Sequence, residues 1–308
     1  MSKEKLVAVV GPTAVGKTKV SIELAKAFDG EVINGDSMQV YKGMDIGTAK
    51  ITDKEKEGIP HYLFDMKNPI ESYSAAEFQE RARAFVTEIN QRGRIPVVVG
   101  GTGMYIKSLT HHYNFSETDS DVEFREKMEI YYSEYGGEAL YQKLKAADPE
   151  SAEQIHPHNV RRVIRALEIY HVTGVPASQR RKQELTSPYQ LALVGLSMDR
   201  ELLYERINKR VDQMMEQGLL EEVSLLYHNG VRNCQSVQAI GYKEIYSYLQ
   251  GECTLEEAVE RLKRNSRRYA KRQYTWFRRQ MDVHWFEITP GEIGKKISAI
   301  KQFVAGTL

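Results

Sequence analysis

Apolar positions in the first third of the chain follow two rhythms. Residues 6–10 (LVAVV) and 95–101 (IPVVVGG) are unbroken β-branched and aliphatic runs, the pattern of strands covered on both faces. Between them the spacing lengthens. TKVSIELAKAF, with Val20, Leu24 and Phe28 in step, predicts a helix. Residues 74–91 predict a second helix through Phe78, Ala82, Phe85 and Ile89, started by a Ser74–Glu77 capping box. EVINGD (31–36) is a short strand that ends in a carboxylate. Strands alternating with helices predict right-handed βαβ units and an α/β fold on a parallel sheet.

From about His111 to Pro188 strand candidates vanish, and polar helices such as DVEFREKMEIYYSEY and HNVRRVIRALEIYHVTG take over. LALVGLSMD (191–199) returns to strand character, and helical spacing then covers 200–217, 219–229 and 254–280. The expected organisation is a core made of 1–110 and 190–308, helical towards its C-terminal end, interrupted by a helical insertion over 111–189.

Composition narrows the function classes. A 308-residue chain with 41% hydrophobic and 28% charged residues is globular. A net charge of +1 gives no overall field for nucleic acid, so any basic surface must be local. One such run exists: RLKRNSRRYAKRQYTWFRR (261–279) has nine Lys or Arg and no acid, interleaved with Tyr269, Tyr274, Trp276 and Phe277. Bases beside aromatics suit a single-stranded RNA loop, although Trp276 and Phe277 read better as the buried stripe of an amphipathic helix. Cys234 and Cys253 lack disulfide or zinc spacing, and no apolar stretch reaches the eighteen residues of a membrane span, so a reducing cytoplasm is expected. His111, His112, His156 and His158 read as surface histidines, because no third ligand has suitable spacing.

GPTAVGKT comprises Gly11, Pro12, Thr13, Ala14, Val15, Gly16, Lys17 and Thr18, and fits G-x-x-x-x-G-K-[ST] between a buried strand and a helix start. Its amides and the helix dipole form an anion cradle, Lys17 would reach outer phosphate oxygens, and the Thr18 hydroxyl would ligate Mg²⁺. By itself this is a nucleotide-binding, ATP-binding signature on a P-loop NTPase-like core. A usual phosphoryl-transfer partner is missing, however: the strand IPVVVGGTG ends in glycines and a threonine rather than an acid. The carboxylate follows the second strand instead, at Asp36, where it would face a nucleophile across the phosphates.

NGDSMQVYKGMDIGTAK (34–50) and VVVGGTGMYIKSL (97–109), taken with GPTAVGKT, resemble the tRNA dimethylallyltransferases, also called isopentenyl transferases. The similarity continues through DVEFREK (121–127), NVRRVIRALEIYHVTG (159–174), ERINKRVDQMMEQGLLEEV (205–223), SVQAIGYKEI (236–245) and NSRRYAKRQYTWFR (265–278). The blocks keep the family's order over nearly the whole chain, and without the zinc-finger extension of eukaryotic members it looks like the bacterial form.

The resemblance implies transfer of a dimethylallyl group from dimethylallyl diphosphate to N6 of the adenine just 3′ of the anticodon, with Mg²⁺ as cofactor. It casts Asp36 as proton acceptor for N6, Thr18 and Lys17 with the loop amides from Thr13 onward as the diphosphate grip, and Arg210 as a leaving-group contact. Spacing alone would make Arg210 a solvated residue, like Glu205 and Arg206 beside it. Asp36, Ser37, Met38 and Gln39 would line the adenine pocket. Thr102 and Arg125 match tRNA-contacting positions, although Arg125 also reads as an i,i+4 partner of Asp121. Arg161, Arg162, Val163, Ile164 and Arg165 would face the tRNA, with Val163, Ala166, Leu167 and Tyr170 forming the helix's apolar side. Gln238, Ala239, Ile240, Gly241, Tyr242 and Lys243 would face it too. A monomer is expected. A nucleoside or small-molecule kinase shares the loop and Asp36, an RNA-binding module shares the basic run, and prenylation of free AMP shares the front half.

Overall fold

The alternation along β1 (Lys5–Val10) sends Leu6, Ala8 and Val10 to one face of a sheet and Val7 and Val9 to the other, and both faces are buried. That explains why the run is apolar at every position. The structure, a computed structural model, describes residues 3–112, 121–180, 186–289 and 291–308. It separates into two units, Met1–His111 with Ser187–Leu308, and His112–Thr186.

In the first unit, β1 is joined by β2 (Gly30–Asn34), β3 (His61–Tyr62), β4 (Ile95–Gly100), β5 (Gln190–Ser197) and β6 (His284–Glu287). The sheet order is β3-β2-β4-β1-β5-β6, with every neighbouring pair parallel. Helices α1 (Lys17–Ala27), α2 (Asp53–Lys56), α3 (Ala75–Gln91) and α4 (Gly103–Thr110) belong to the N-terminal half of this unit. The second unit holds α5 (Val122–Ala147), α6 (Pro149–Gln154), α7 (Val160–Thr173) and α8 (Ala177–Arg180). The first unit resumes with α9 (Arg200–Glu216), α10 (Leu219–His228), α11 (Tyr242–Leu249), α12 (Leu255–Gln280) and α13 (Ile293–Thr307). One face of the sheet buries Val20 and Leu24 of α1, Leu203 and Ile207 of α9 and Ile300 of α13. The other buries Phe78 and Val86 of α3, Ile106 of α4 and Leu262 and Phe277 of α12.

The helical stretches expected after 200 form at α9, α10 and α12, but β3, β6, α11 and α13 have no counterpart in the sequence reading. β3 and β6 are short edge strands with no fully buried residue, so neither leaves an apolar run to read. At the start of α3 only half of the expected capping box forms. Ser74 accepts the Glu77 amide, while the Glu77 carboxylate pairs with Lys67 and Arg81.

The second unit has its own core of Leu140, Leu144, Ile155, Val163, Ile164 and Leu167. Tyr170, expected on the apolar side of α7, is 40% exposed, whereas Glu168 is fully buried. Glu168 accepts hydrogen bonds from Arg125 Nε (2.7 Å), Arg165 Nη1 (2.8 Å) and the Asp121 amide (2.8 Å). Among the described residues Arg125 pairs with Glu168, while its link to Asp121 is the backbone hydrogen bond of the helix start. No helix among the described residues is long and apolar enough to cross a membrane.

Candidate active site

The segments after β1, β2 and β4 emerge at the carboxyl edge of the sheet, where open parallel sheets place their ligands. After β1, the chain turns through Gly16, whose φ of 105° is costly for any residue with a Cβ, and enters α1 at Lys17 and Thr18. No acidic residue occupies the first turn of α1, so its positive end is not neutralised from within. Lys17 Nζ donates to the Gly11 and Pro12 carbonyls at 3.0 and 2.7 Å, which shapes the loop. Burial pulls the Lys17 ammonium down to about 8, opposed by the Asp36 charge and reinforced by Arg210. The Thr13 amide, expected to face the diphosphate, donates instead to Gln273 Oε1 of α12 at 2.9 Å.

After β2, the Asn34 side chain shapes the turn. Its Oδ1 accepts the Asp36 amide at 2.9 Å, and its Nδ2 donates to the Asp36 and Leu63 carbonyls. Asp36 Oδ1 accepts the Met38 amide at 2.9 Å, which fixes the carboxylate and leaves its second oxygen for a substrate. Thr102, after β4, accepts the Ser37 amide at 3.1 Å and donates to the Ser37 hydroxyl at 3.3 Å. Thr102 therefore steadies the Asp36 turn directly.

Two cavities adjoin at these loops. The first, about 480 Å³, is lined by four cations, Lys17, Arg206, Lys209 and Arg210, against a single carboxylate, Asp36. The second, about 360 Å³, has apolar walls from Met38, Ile207, Val211, Met214, Ile240 and Leu262. Asp36, Arg210 and Tyr269 line both, so the carboxylate sits where a cationic chamber meets an apolar one. Burial lowers the Arg210 guanidinium below its ordinary value, opposed by the Glu55 and Asp36 charges and reinforced to a smaller extent by Arg206. Burial and the neighbouring Asp36 charge raise the Tyr269 phenol.

Wall residues without a role in the sequence reading include Arg206, Lys209 and Gln273, and Tyr269, read there as an aromatic beside the basic run, lines both cavities. Arg206, taken there as a surface charge, donates from Nε to the Ala14 carbonyl at 3.0 Å and lines the cationic chamber. Tyr269 and Gln273 look inward from the basic helix. The Tyr274 hydroxyl accepts the Met198 amide, so this ring is also turned toward the fold.

The block 238–243 divides. Gln238, Ile240 and Lys243 line the apolar cavity together with Ala239, whereas Tyr242 is fully buried and donates to Glu222 at 2.6 Å. Glu222 in turn accepts the amides of Asp45, Ile46 and Gly47, which holds the 45–49 segment against both cavities. In α7 Arg161 and Arg162 are exposed, but the Val163 and Ile164 side chains are buried in the core of their unit and do not face outward. Of the histidines read as surface residues, His111 is buried, with its Nδ1 2.8 Å from the Thr110 hydroxyl. Among the described residues no group of three or more His, Cys, Asp or Glu could hold a metal ion.

On α12, Arg264, Arg268 and Lys271 are exposed and line neither cavity, while Arg267 is engaged by Asn208 Oδ1 at 2.5 Å.

Residues 39–280 match the model of the IPP transferase family. The chain is 59% identical over 309 residues to a tRNA dimethylallyltransferase of Bacillus cereus, covering 100% of this chain and 96% of that protein. A crystal structure of a tRNA isopentenylpyrophosphate transferase from Bacillus halodurans is 56% identical, superposes with a TM-score of 0.77, and covers 99% of this chain and 97% of its own. A eukaryotic dimethylallyltransferase acting on tRNA is 33% identical with a TM-score of 0.85, over 98% of this chain and 80% of the other.

Proposed function

The chain belongs to the IPP transferase family, and from that premise we propose that it moves a dimethylallyl group from dimethylallyl diphosphate to N6 of the adenine immediately 3′ of the anticodon of tRNA. The observation that carries this reading is the position of Asp36 at the junction of the cationic and apolar chambers. The diphosphate lies among Lys17, Arg206 and Arg210 at the positive end of α1, and the five-carbon chain and the base occupy the apolar side. An allylic carbon–oxygen bond breaks once its leaving group is stabilised, so fixed cations supply the main assistance. Asp36 takes the N6 proton as the carbon–nitrogen bond forms. The base must leave its stack to enter, and the apolar walls favour it there.

The donor set fits Mg²⁺ held chiefly by the substrate: Thr18 offers one exposed hydroxyl at the start of α1, and the remaining ligands would be diphosphate oxygens and water. When bound there, the ion would neutralise charge on the departing diphosphate. β4 ends in Gly100 where a phosphoryl-transfer enzyme would carry a metal acid, which favours carbon–oxygen over phosphorus–oxygen cleavage. Within the helical unit His112–Thr186, the exposed Arg161 and Arg162 supply a phosphate-gripping surface.

The reading is tested by incubating the protein with Mg²⁺, dimethylallyl diphosphate and unmodified tRNA, then locating the added group by nuclease digestion and mass spectrometry. Prenylated adenosine next to the anticodon is expected. Its absence, with ATP labelling a small acceptor instead, would establish the kinase alternative.

Two further outcomes are expected. Because burial pulls the Lys17 ammonium down to about 8, kcat/KM for the donor is expected to fall as pH rises through that value, since the neutral amine no longer attracts phosphate. Lys17→Arg, always charged, loses that descending limb; a limb unchanged in the variant would show another group is responsible. Charge reversal of Arg268 and Lys271 together lowers tRNA affinity and reduces the salt slope by about two, at roughly 0.9 per lost phosphate contact. Donor KM stays unchanged. Equal loss of both affinities would mean a damaged fold.

A further inference from the structure

Resting on the transferase reading, we propose that Gln273 is a positioning residue that holds the diphosphate grip in register with Asp36. Gln273 is 4% exposed, on the inner side of α12. Its Oε1 accepts the Thr13 amide at 2.9 Å, and its Nε2 donates to the Gly101 carbonyl at 3.0 Å. The amide packs directly against Gly101: a Cβ there would lie 2.1 Å from Gln273 Nε2, so a larger residue would have to displace the amide.

The consequence is a continuous link between two loops that the backbone leaves separate. The grip follows β1 and Asp36 follows β2, with the β4 segment between them in the sheet. Gln273 ties Thr13 of the grip to Gly101, and the next residue, Thr102, binds the Ser37 amide beside Asp36. Substitution at carbon needs leaving group, carbon and nucleophile in line. A displacement of about 1 Å in that line costs on the order of 10²-fold in rate. One amide, serving as acceptor on one side and donor on the other, fixes the spacing. A carboxylate in its place keeps the acceptor and loses the donor until it is protonated. Burial and the Asp36 charge bring that toward neutral pH, against Lys17, Arg206 and Arg210 of the same cavity and the Tyr269 phenol that hydrogen-bonds to this side chain.

The test compares wild type, Gln273→Leu and Gln273→Glu with tRNA and dimethylallyl diphosphate. Wild-type prenylation is the control for the reading itself, since its failure would remove the transferase assignment and not this residue's role alone. In Gln273→Leu, kcat is expected to fall roughly 10²-fold, with tRNA affinity unchanged. In Gln273→Glu, the ratio of its kcat to that of wild type rises as pH falls from 8.5 to 6, by about tenfold, as the protonated carboxyl regains its donor. A role limited to stability moves the melting temperature and leaves this ratio flat. The proposal is overturned if Gln273→Leu keeps kcat within about threefold of wild type, set against the 10²-fold expectation, or if the ratio for Gln273→Glu does not change with pH. If the leucine variant does not fold, the pH ratio of the glutamate variant decides alone.

Discussion

Asp36→Ala is expected to lower turnover by roughly 10²–10⁴-fold, the range for losing a positioned general base, while dimethylallyl diphosphate still binds. The exocyclic amine of adenine is a poor nucleophile because its lone pair is shared with the ring, so proton removal during bond formation is the help it needs. Asp36 is placed for this task and not for gripping phosphate. It is the lone carboxylate beside four cations in one chamber, and it also faces the apolar one. Asp36→Asn separates the base from the scaffold, because an amide oxygen still accepts the Met38 amide and keeps the turn. Both variants are expected to lose turnover alike in single-turnover assays. An asparagine variant with near-normal turnover would leave Asp36 as a positioning group only.

Arg210→Gln is expected to lower kcat roughly 10²–10³-fold, the usual cost of removing one donor aimed at developing charge. Here the loss of activity parts company with stability. The guanidinium lines both cavities beside Asp36, and burial disfavours its charged form, opposed by the Glu55 and Asp36 charges and reinforced to a smaller extent by Arg206. An incoming diphosphate relieves a desolvated charge of this kind. Replacing it with a neutral amide removes that desolvation cost from the free protein as well, so the melting temperature of the variant does not fall below that of wild type. A variant that melts much earlier and loses activity in proportion would assign Arg210 a structural role.

The parts of the site that were legible in the sequence are those built from contiguous residues. The loop Gly11–Thr18 and the carboxylate after β2 need only a strand before them, and apolar runs announce those strands. The walls were hidden because packing creates them. Arg206 meets the Ala14 carbonyl across 192 positions of chain, and Gln273 meets Thr13 across 260. Nothing in the local spacing of a charged helix distinguishes an arginine that reaches a loop from one that reaches water. Matching by blocks has the opposite fault. It carried Val163 and Ile164 along with Arg161 and Arg162, although helical periodicity turns those two inward. Tyr242 is a similar case, a motif residue that acts from the core through Glu222.

The central claim is that a P-loop here serves the departure of a diphosphate from carbon. It is tested most directly by dimethylallyl diphosphate carrying ¹⁸O in the oxygen that bridges carbon and phosphorus. After turnover with unmodified tRNA, the label is expected in the released diphosphate, with one prenylated adenosine formed for each diphosphate. Label retained on the five-carbon fragment, or diphosphate released without prenylated tRNA, would contradict it.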